Sequence, residues 1–437
     1  MSSTNVAPQR LRRVAIACTV GTTVEFYDFY IYGTAAALVF PTVFFPDLNP
    51  TLATIAAMGT FAAAFVSRPL GGAVFGHFGD RIGRKTTLVA TLLIMGLSTV
   101  AVGLTPSAAT IGVAAPLLVL VLRLLQGFAV GGEWAGSALL GTEYAPPNRR
   151  GWYGMFTPLG VGIALVLTSL TFLLVEMTIG GTSAAFLQWG WRVPFLLSAL
   201  LIAIALYVRL NIGETPVFTT QLASAGPARA PIADVLRRQS GKVALAAGSF
   251  VGVYAFVFMG GTYLTSYGRN HLGLSPNVVL TAGLLGGLAW TAVVAYAANK
   301  SDHIGRRPVM LTGWAFGLPW SFAILPLIDT GSPVLFALAI VGIYAVAGFA
   351  YAPMTAFVPE LFDTRHRYTG AGLALNVAGI VGGALPPIIA GPLLSRYGSW
   401  AIGVMLATLV LVSLVCIYRL PETTGTSMAG EAEYASR

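Results

Sequence analysis

Five ionisable side chains stand inside apolar stretches of this 437-residue chain: Glu25, Asp28, Arg68, Arg123 and Glu133. A charge within hydrocarbon costs several kcal/mol, so such a residue marks a proton relay, an ion path or a ligand counter-ion by default. Glu25 and Asp28 are three residues apart and share one face of a helix. At ~1.5 Å per residue they fall roughly 16 to 21 Å into their stretch from one side, and Arg123 falls roughly 18 Å into its own from the other. Arg68 and Glu133 sit at similar depth to one another. Three acids against two bases leave one carboxyl without a cation in the set. Burial favours the neutral carboxyl and a nearby guanidinium favours the charged one, so one carboxyl of the first stretch is expected to exchange a proton near neutral pH. The expected carrier is Asp28, with Glu25 nearer to Arg123 and Glu133 paired with Arg68. The bland alternative is a charge network that only holds helices in register, and for Arg68 and Glu133 that is the expected role. Arg123 keeps its proton and presents a planar donor fork. It suits a substrate carboxylate, or the carrier carboxylate until substrate displaces it.

The elements that must position these residues follow from composition. Apolar residues make up 56% and charged residues 9%, against roughly 25% charged in soluble domains, and the mean hydropathy is +0.78. A disordered chain, a disulfide scaffold and a stand-alone water-soluble enzyme are thereby excluded. Twelve apolar runs lie near residues 14–38, 51–75, 86–105, 111–138, 150–175, 192–211, 241–268, 276–298, 308–328, 333–356, 368–394 and 398–420. Most exceed the ~20 residues that a helix needs to cross ~30 Å of hydrocarbon. The chain reads as an all-α membrane protein with twelve transmembrane helices in a lipid bilayer. With the N-terminus in the cytoplasm, the cytoplasmic segments hold 20 of the 25 Lys and Arg, and the opposite face holds only Arg192, Arg269 and Arg396. That split obeys the positive-inside rule with both termini cytoplasmic. The net charge of +9 therefore reports orientation, and no nucleic-acid partner is implied. The first run is too long for a signal peptide and carries two carboxylates, so it reads as an uncleaved span.

An internal repeat divides the chain. Asp80-Arg81-Ile82-Gly83-Arg84-Lys85 recurs 222 residues later as Asp302-His303-Ile304-Gly305-Arg306-Arg307. Glu143 and Arg150 recur as Glu360 and Arg367, seven residues apart in both copies. Two pseudo-symmetric six-helix bundles follow, over residues 1–211 and 241–437, the second with a short cytoplasmic tail. A cytoplasmic linker over 212–240, with room for one surface helix, joins them. In the first loop the glycines permit a tight turn, Asp80 precedes the positive end of the third span, and Arg84 and Lys85 can reach Glu143. Topology and turn formation alone would account for these residues.

Gly76 to Lys85, together with Arg123-x3-Gly127-x3-Gly131, resembles the major facilitator superfamily. Val24 to Phe29, Arg68-Pro69-Leu70-Gly71, Gly127 to Trp134 and Gly190 to Phe195 are similar to its metabolite:proton symporter family, whose members carry shikimate, oxoglutarate, citrate, or proline and betaine. The resemblance implies the major facilitator fold, alternating access, and a gate in which Asp80, Arg84, Glu143 and Arg150, with Asp302, Arg306, Glu360 and Arg367, clasp the halves on the cytoplasmic side. It further implies a symporter importing a small organic metabolite, a carboxylate first and a zwitterionic osmolyte second. The partners would be that substrate and H+, the chain would act as a monomer, and no cofactor beyond the proton gradient would be needed. Its place would be a bacterial inner membrane. The chain departs from many relatives at Thr157-Pro158-Leu159-Gly160, where they carry glutamine.

Tyr30, Tyr254, Tyr263, Trp290, Tyr351 and Asn376 are further candidates to line a central cavity, although membrane aromatics more often serve packing or an interfacial belt. Cys18 and Cys416 read as isolated apolar fillers, with no disulfide or metal implied. All four histidines are expected in loops, so an intramembrane enzyme lacks its usual bases. Proton-driven export, passive facilitation and a receptor or scaffold without transport remain as alternatives.

Overall fold

The computed structural model describes residues 8–82, 84–180, 183–211, 231–362 and 367–426. Its long helices match the apolar runs. In the first half they are Pro8–Leu38, Pro50–Ile82, Arg84–Leu104, the pair Ala114–Val130 and Glu133–Glu143, the pair Arg150–Gly154 and Phe156–Ile179, and Val193–Leu210. In the second half they are Ser240–Phe258 continuing to His271, Pro276–Ile304, Arg306–Asp329, the pair Pro333–Tyr351 and Met354–Leu361, Arg367–Ala378 continuing to Tyr397, and Trp400–Arg419. These are the first to twelfth spans. Ten are long and apolar enough to cross a membrane by themselves. The first, which carries Glu25 and Asp28, and the fourth, which breaks at Gly131 and Gly132, complete the twelve. The charges and the helix break that weaken the apolar signal thus belong to the two spans that build the site.

Local chemistry sets the helix ends. Spans eight and ten both start at Ser-Pro: Ser275 and Ser332 accept from the amides of Val278 and Leu335, and the proline ring occupies the first helical turn. Span eight ends at Gly305, whose φ of +101° suits glycine and explains that residue in the repeated loop motif. The helices overrun the apolar runs by several residues, because a helix satisfies its own backbone on entering the headgroup region. His77, His271 and His303, expected in loops, therefore occupy helix ends, and His366 lies outside the described residues. Of the linker, residues 212–230 lie outside the described residues, and Pro231–Arg238 forms one short helix with Asp234 in its first turn and Arg237 and Arg238 in its last.

Close backbone approach fixes the helices that carry the arginines. A Cβ at Gly127 would lie 2.0 Å from the Ala64 carbonyl oxygen, and one at Gly71 1.7 Å from that of Phe128, so spans two and four cross with no room for side chains. The Gly190 to Phe195 motif anchors span six: Tyr27 donates to the Pro194 carbonyl at 3.1 Å, and Arg192 donates to the carbonyls of Gly103 and Thr105. Between the bundles, Phe29, Phe61, Phe65 and Phe258 form an aromatic seam with ring centroids 5.1 to 6.4 Å apart.

Candidate functional site

All five intramembrane charges are buried: Glu25 3%, Asp28 1%, Arg68 2%, Arg123 0% and Glu133 1% exposed. They do not pair as depth alone suggested. Glu133 forms its ion pair with Arg209, not Arg68. Arg209 belongs to the last turn of span six, and positive-inside counting places it in a loop. Its side chain turns inward, donates to the Leu88 carbonyl at 2.7 Å and runs against Gly21 of span one, where a Cβ would lie 2.9 Å from its Nη2. With Arg209 included, the buried set holds three acids and three bases, so the unpaired acid expected from arithmetic does not arise that way.

A carboxyl free of direct ion pairing arises from geometry instead. Arg123 lies over the rings of Phe29 and Tyr32, 4.3 and 4.2 Å from their centroids, and Arg68 lies 4.3 Å from Phe29 and 4.6 Å from Phe65. A desolvated guanidinium on an aromatic face gains about 2 kcal/mol, which offsets part of the cost of burial. No ion pair among the described residues joins either arginine to Glu25 or Asp28.

Arg123 reaches Asp28, not Glu25, and does so through neutral groups. Arg123 Nη1 donates to Gln126 Oε1 at 2.9 Å, Gln126 Nε2 to Thr99 Oγ1 at 2.6 Å, and Thr99 Oγ1 to Asp28 Oδ2 at 2.6 Å. The charges acting on Glu25 are those of Glu133, Arg68, Arg209 and Asp28. Gln126 and Thr99 carry no charge, so the presence of ionisable groups in apolar stretches does not point to them. Their signal was a mid-span amide and hydroxyl, the same signal that singled out Asn376.

Asn376 donates to the Gly131 carbonyl at 3.2 Å, and the Tyr368 hydroxyl donates to that of Gly132. These carbonyls belong to the break in span four, so span eleven takes up backbone acceptors there. The Trp134 indole donates to the Tyr351 hydroxyl at 2.8 Å, and that of Trp290 to the Pro158 carbonyl at 2.8 Å, which ties the departing Thr157 to Gly160 segment to the opposite bundle. Tyr30 and Tyr344 close around Gly261 of span seven. Gly261 belongs to the π turn Met259–Tyr263. Tyr263 at the end of that turn, with Tyr267, Asn270 and His271, lines a cavity of about 1080 Å³ bounded on the other side by Leu38, Thr42, Pro50 and Thr54. This vestibule opens between the bundles on the face away from the termini.

On the cytoplasmic face four of the residues expected to form a gate, Asp302, Arg306, Glu360 and Arg150, come together across the bundles. Asp302 accepts the Gly151 and Trp152 amides of span five, each at 2.8 Å, and Arg306 Nη1 at 2.7 Å. Glu360 stands between Arg150 at 3.6 Å and Arg306 at 3.8 Å. Arg367 donates to the Pro359 carbonyl at 2.9 Å, within its own half. Glu143 is half-buried at the end of span four. The side chains of Asp80 and Arg84 lie outside the described residues. The tail after span twelve also enters this cluster, which the sequence did not signal. Glu422 accepts the Arg306 and Arg307 amides, both at 2.9 Å, Thr423 donates to Glu360 at 2.6 Å, and Arg150 donates to the Thr426 carbonyl at 2.6 Å. Burial would raise the Glu422 carboxyl, but the hydrogen bonds from Thr424 and from the Arg306 and Arg307 amides outweigh it and hold the group below the ordinary glutamate range.

The family model described as Major Facilitator Superfamily matches residues 19–387. The chain is 42% identical over 422 residues to the inner membrane metabolite transport protein YhjE of Escherichia coli K12, covering 95% of each chain. It is 39% identical over 404 residues to the shikimate transporter of the same strain, covering 90% of each. Its fold matches the proton:xylose symporter XylE bound to 6-bromo-6-deoxy-D-glucose with a TM-score of 0.76 at 16% identity, covering 97% of this chain and 98% of that one. A buried charge cluster within the first six spans of a twelve-span chain, found together with these matches, gives the identification: the chain belongs to the Major Facilitator Superfamily and is a multi-pass metabolite transporter of the inner membrane, not an enzyme.

Proposed function

We propose that the protein is a proton-coupled symporter that imports a small organic carboxylate by alternating access. The observation that carries the reading is the arrangement of Asp28 and Arg123: both are essentially unexposed, and they are joined through Gln126 and Thr99 with no direct ion pair. A carboxyl held this way can be neutralised by a proton from the vestibule side. Arg123, with Nε and Nη2 free of hydrogen-bond partners, retains donors for an anionic substrate. Neutralising a buried charge changes the relative free energies of the outward and inward states. The cytoplasmic cluster of Asp302, Arg306, Glu360 and Arg150 then parts, and the bundles rock about the site. A gradient of ~100 mV is worth ~2.3 kcal/mol per charge moved, enough for roughly 50-fold accumulation. The likeness to a shikimate transporter supports a carboxylate.

The test is uptake into proteoliposomes under an imposed pH gradient, with a counterflow panel of shikimate, citrate, oxoglutarate and betaine. Asp28→Asn should abolish accumulation while exchange persists, and Arg123→Lys should lose both. Accumulation at the wild-type level in either variant, or wild-type uptake indifferent to pH on both sides, would end this reading.

A further inference from the structure

We propose that Thr99 is a positioning residue that lets Asp28 change charge inside a sealed core without breaking the bridge to Arg123. This inference rests on the proton-symport reading and concerns how its carrier carboxyl is held. Thr99, Gln126, Arg123, Asp28 and Met95 are all at most 1% exposed, so a polar group that lost its partner there would stay buried and unsatisfied. Arginine has only donors, so Gln126 must turn its oxygen to Arg123 and its NH2 to Thr99. The Thr99 oxygen must therefore accept from Gln126, which leaves it one lone pair and one hydrogen.

That hydrogen has two acceptors within reach: Asp28 Oδ2 at 2.6 Å and the Met95 carbonyl, one turn back on the same helix, at 3.0 Å. An ionised carboxylate only accepts, so the hydrogen then points at Asp28. When a proton from water adds to Asp28 Oδ2, the carboxyl becomes a donor. Thr99 takes that hydrogen bond on its remaining lone pair and rotates its own hydrogen to Met95. On release the proton returns to water and the rotation reverses. No heavy atom moves and no other bond changes. In the ionised state Thr99 donates to Asp28 and accepts from Gln126, in the protonated state it fills its second lone pair as well, and the Gln126 link to Arg123 persists in both.

Other titratable groups lie near Asp28 without bonding to it: Glu25 and Tyr27 on its own helix, and Arg123 and Glu133 on span four. Arg68 of span two, Arg209 of span six and Tyr254 of span seven act on Glu25 instead. Among the described residues, Thr99 is the one side chain hydrogen-bonded to Asp28.

The experiment is infrared titration of the protonated-carboxyl band in purified full-length protein reconstituted in lipid. Asp28→Asn identifies the band. A hydrogen bond to a charged acceptor is about twice as strong as one to a neutral group, so Thr99→Val should cost the ionised form more. The band midpoint should move toward higher pH by about one unit, a tenfold change, and Thr99→Ser should restore it. Should Thr99→Val fold poorly, Thr99→Ala carries the same expectation. An unmoved midpoint in the valine or alanine variant would overturn the role of Thr99 and leave symport standing. Symport is tested separately by pH-driven uptake of radiolabelled shikimate in the wild type.

Discussion

Asp302→Asn tests the cytoplasmic gate directly. In the wild type this carboxylate accepts two backbone amides of span five at 2.8 Å and the Arg306 guanidinium at 2.7 Å. Asparagine keeps one acceptor oxygen, loses the second and loses the charge. One charge-assisted bond is worth about 1.5 to 3 kcal/mol, and the surviving bonds weaken as well, so about 2 to 3 kcal/mol of clasp is removed. That shifts the balance between inner-closed and inner-open states by roughly 30- to 150-fold. The assay is pulsed electron resonance between spin labels at Arg13 and Ile304, both solvent-exposed near the cytoplasmic ends of opposite bundles, with Cys18 and Cys416 replaced. The long-distance population should grow in the variant in lipid nanodiscs at neutral pH. A distance distribution identical to the wild type would refute the clasp, whatever the transport rate.

Three further outcomes are expected. Glu133→Gln or Arg209→Met alone leaves a buried charge without its partner and should cost about 3 to 5 kcal/mol, with the double change recovering most of it, read as Tm in detergent by tryptophan fluorescence. Gly127→Ala places a methyl 2.0 Å from the Ala64 carbonyl oxygen; it should pry spans two and four apart and lower the yield of monodisperse protein, whereas Gly59→Ala, in open space on span two, should not. Glu422 is held below its ordinary range when docked, so its contribution to docking is complete above the unfolded value of about 4.3 and is lost as pH falls through the lowered one. Amide exchange at Arg306 and Arg307, corrected for intrinsic rates, should rise over that acid window, and Glu422→Gln should remove the dependence.

Much of this architecture was legible because membrane physics writes it plainly. The twelve apolar runs, the charge asymmetry and the repeated Asp-x-Ile-Gly-Arg loops needed only length and counting. Pairing was not legible for a definite reason: depth along a span places a residue in the correct layer, but rotation about the helix axis decides its neighbours. Glu133 and Arg68 share a layer, yet Glu133 faces span six and meets Arg209, while Arg68 faces the Phe29 and Phe65 rings. Arg209 misled because a flanking arginine was assumed to reach toward water, whereas its guanidinium turns toward the core. The Thr99 and Gln126 bridge and the Glu422 clasp were missed because each depends on residues far apart in the chain whose types are individually unremarked.

The contact from Asp302 to span five lands on main-chain amides at positions 151 and 152, and every amino acid except proline supplies an amide hydrogen there. Apart from a change to proline, no exchange of side chains at those two positions can delete the acceptor's partners. Crowding restricts position 151 for its own reason, since a Cβ there would lie 2.4 Å from Arg306 Nη1. A saturation scan should therefore show strict demand for an acid at 302, a small residue at 151, and broad tolerance at 152 broken only by proline. Methods that infer proximity from paired substitutions would register nothing between 302 and 152, although they touch in this conformation.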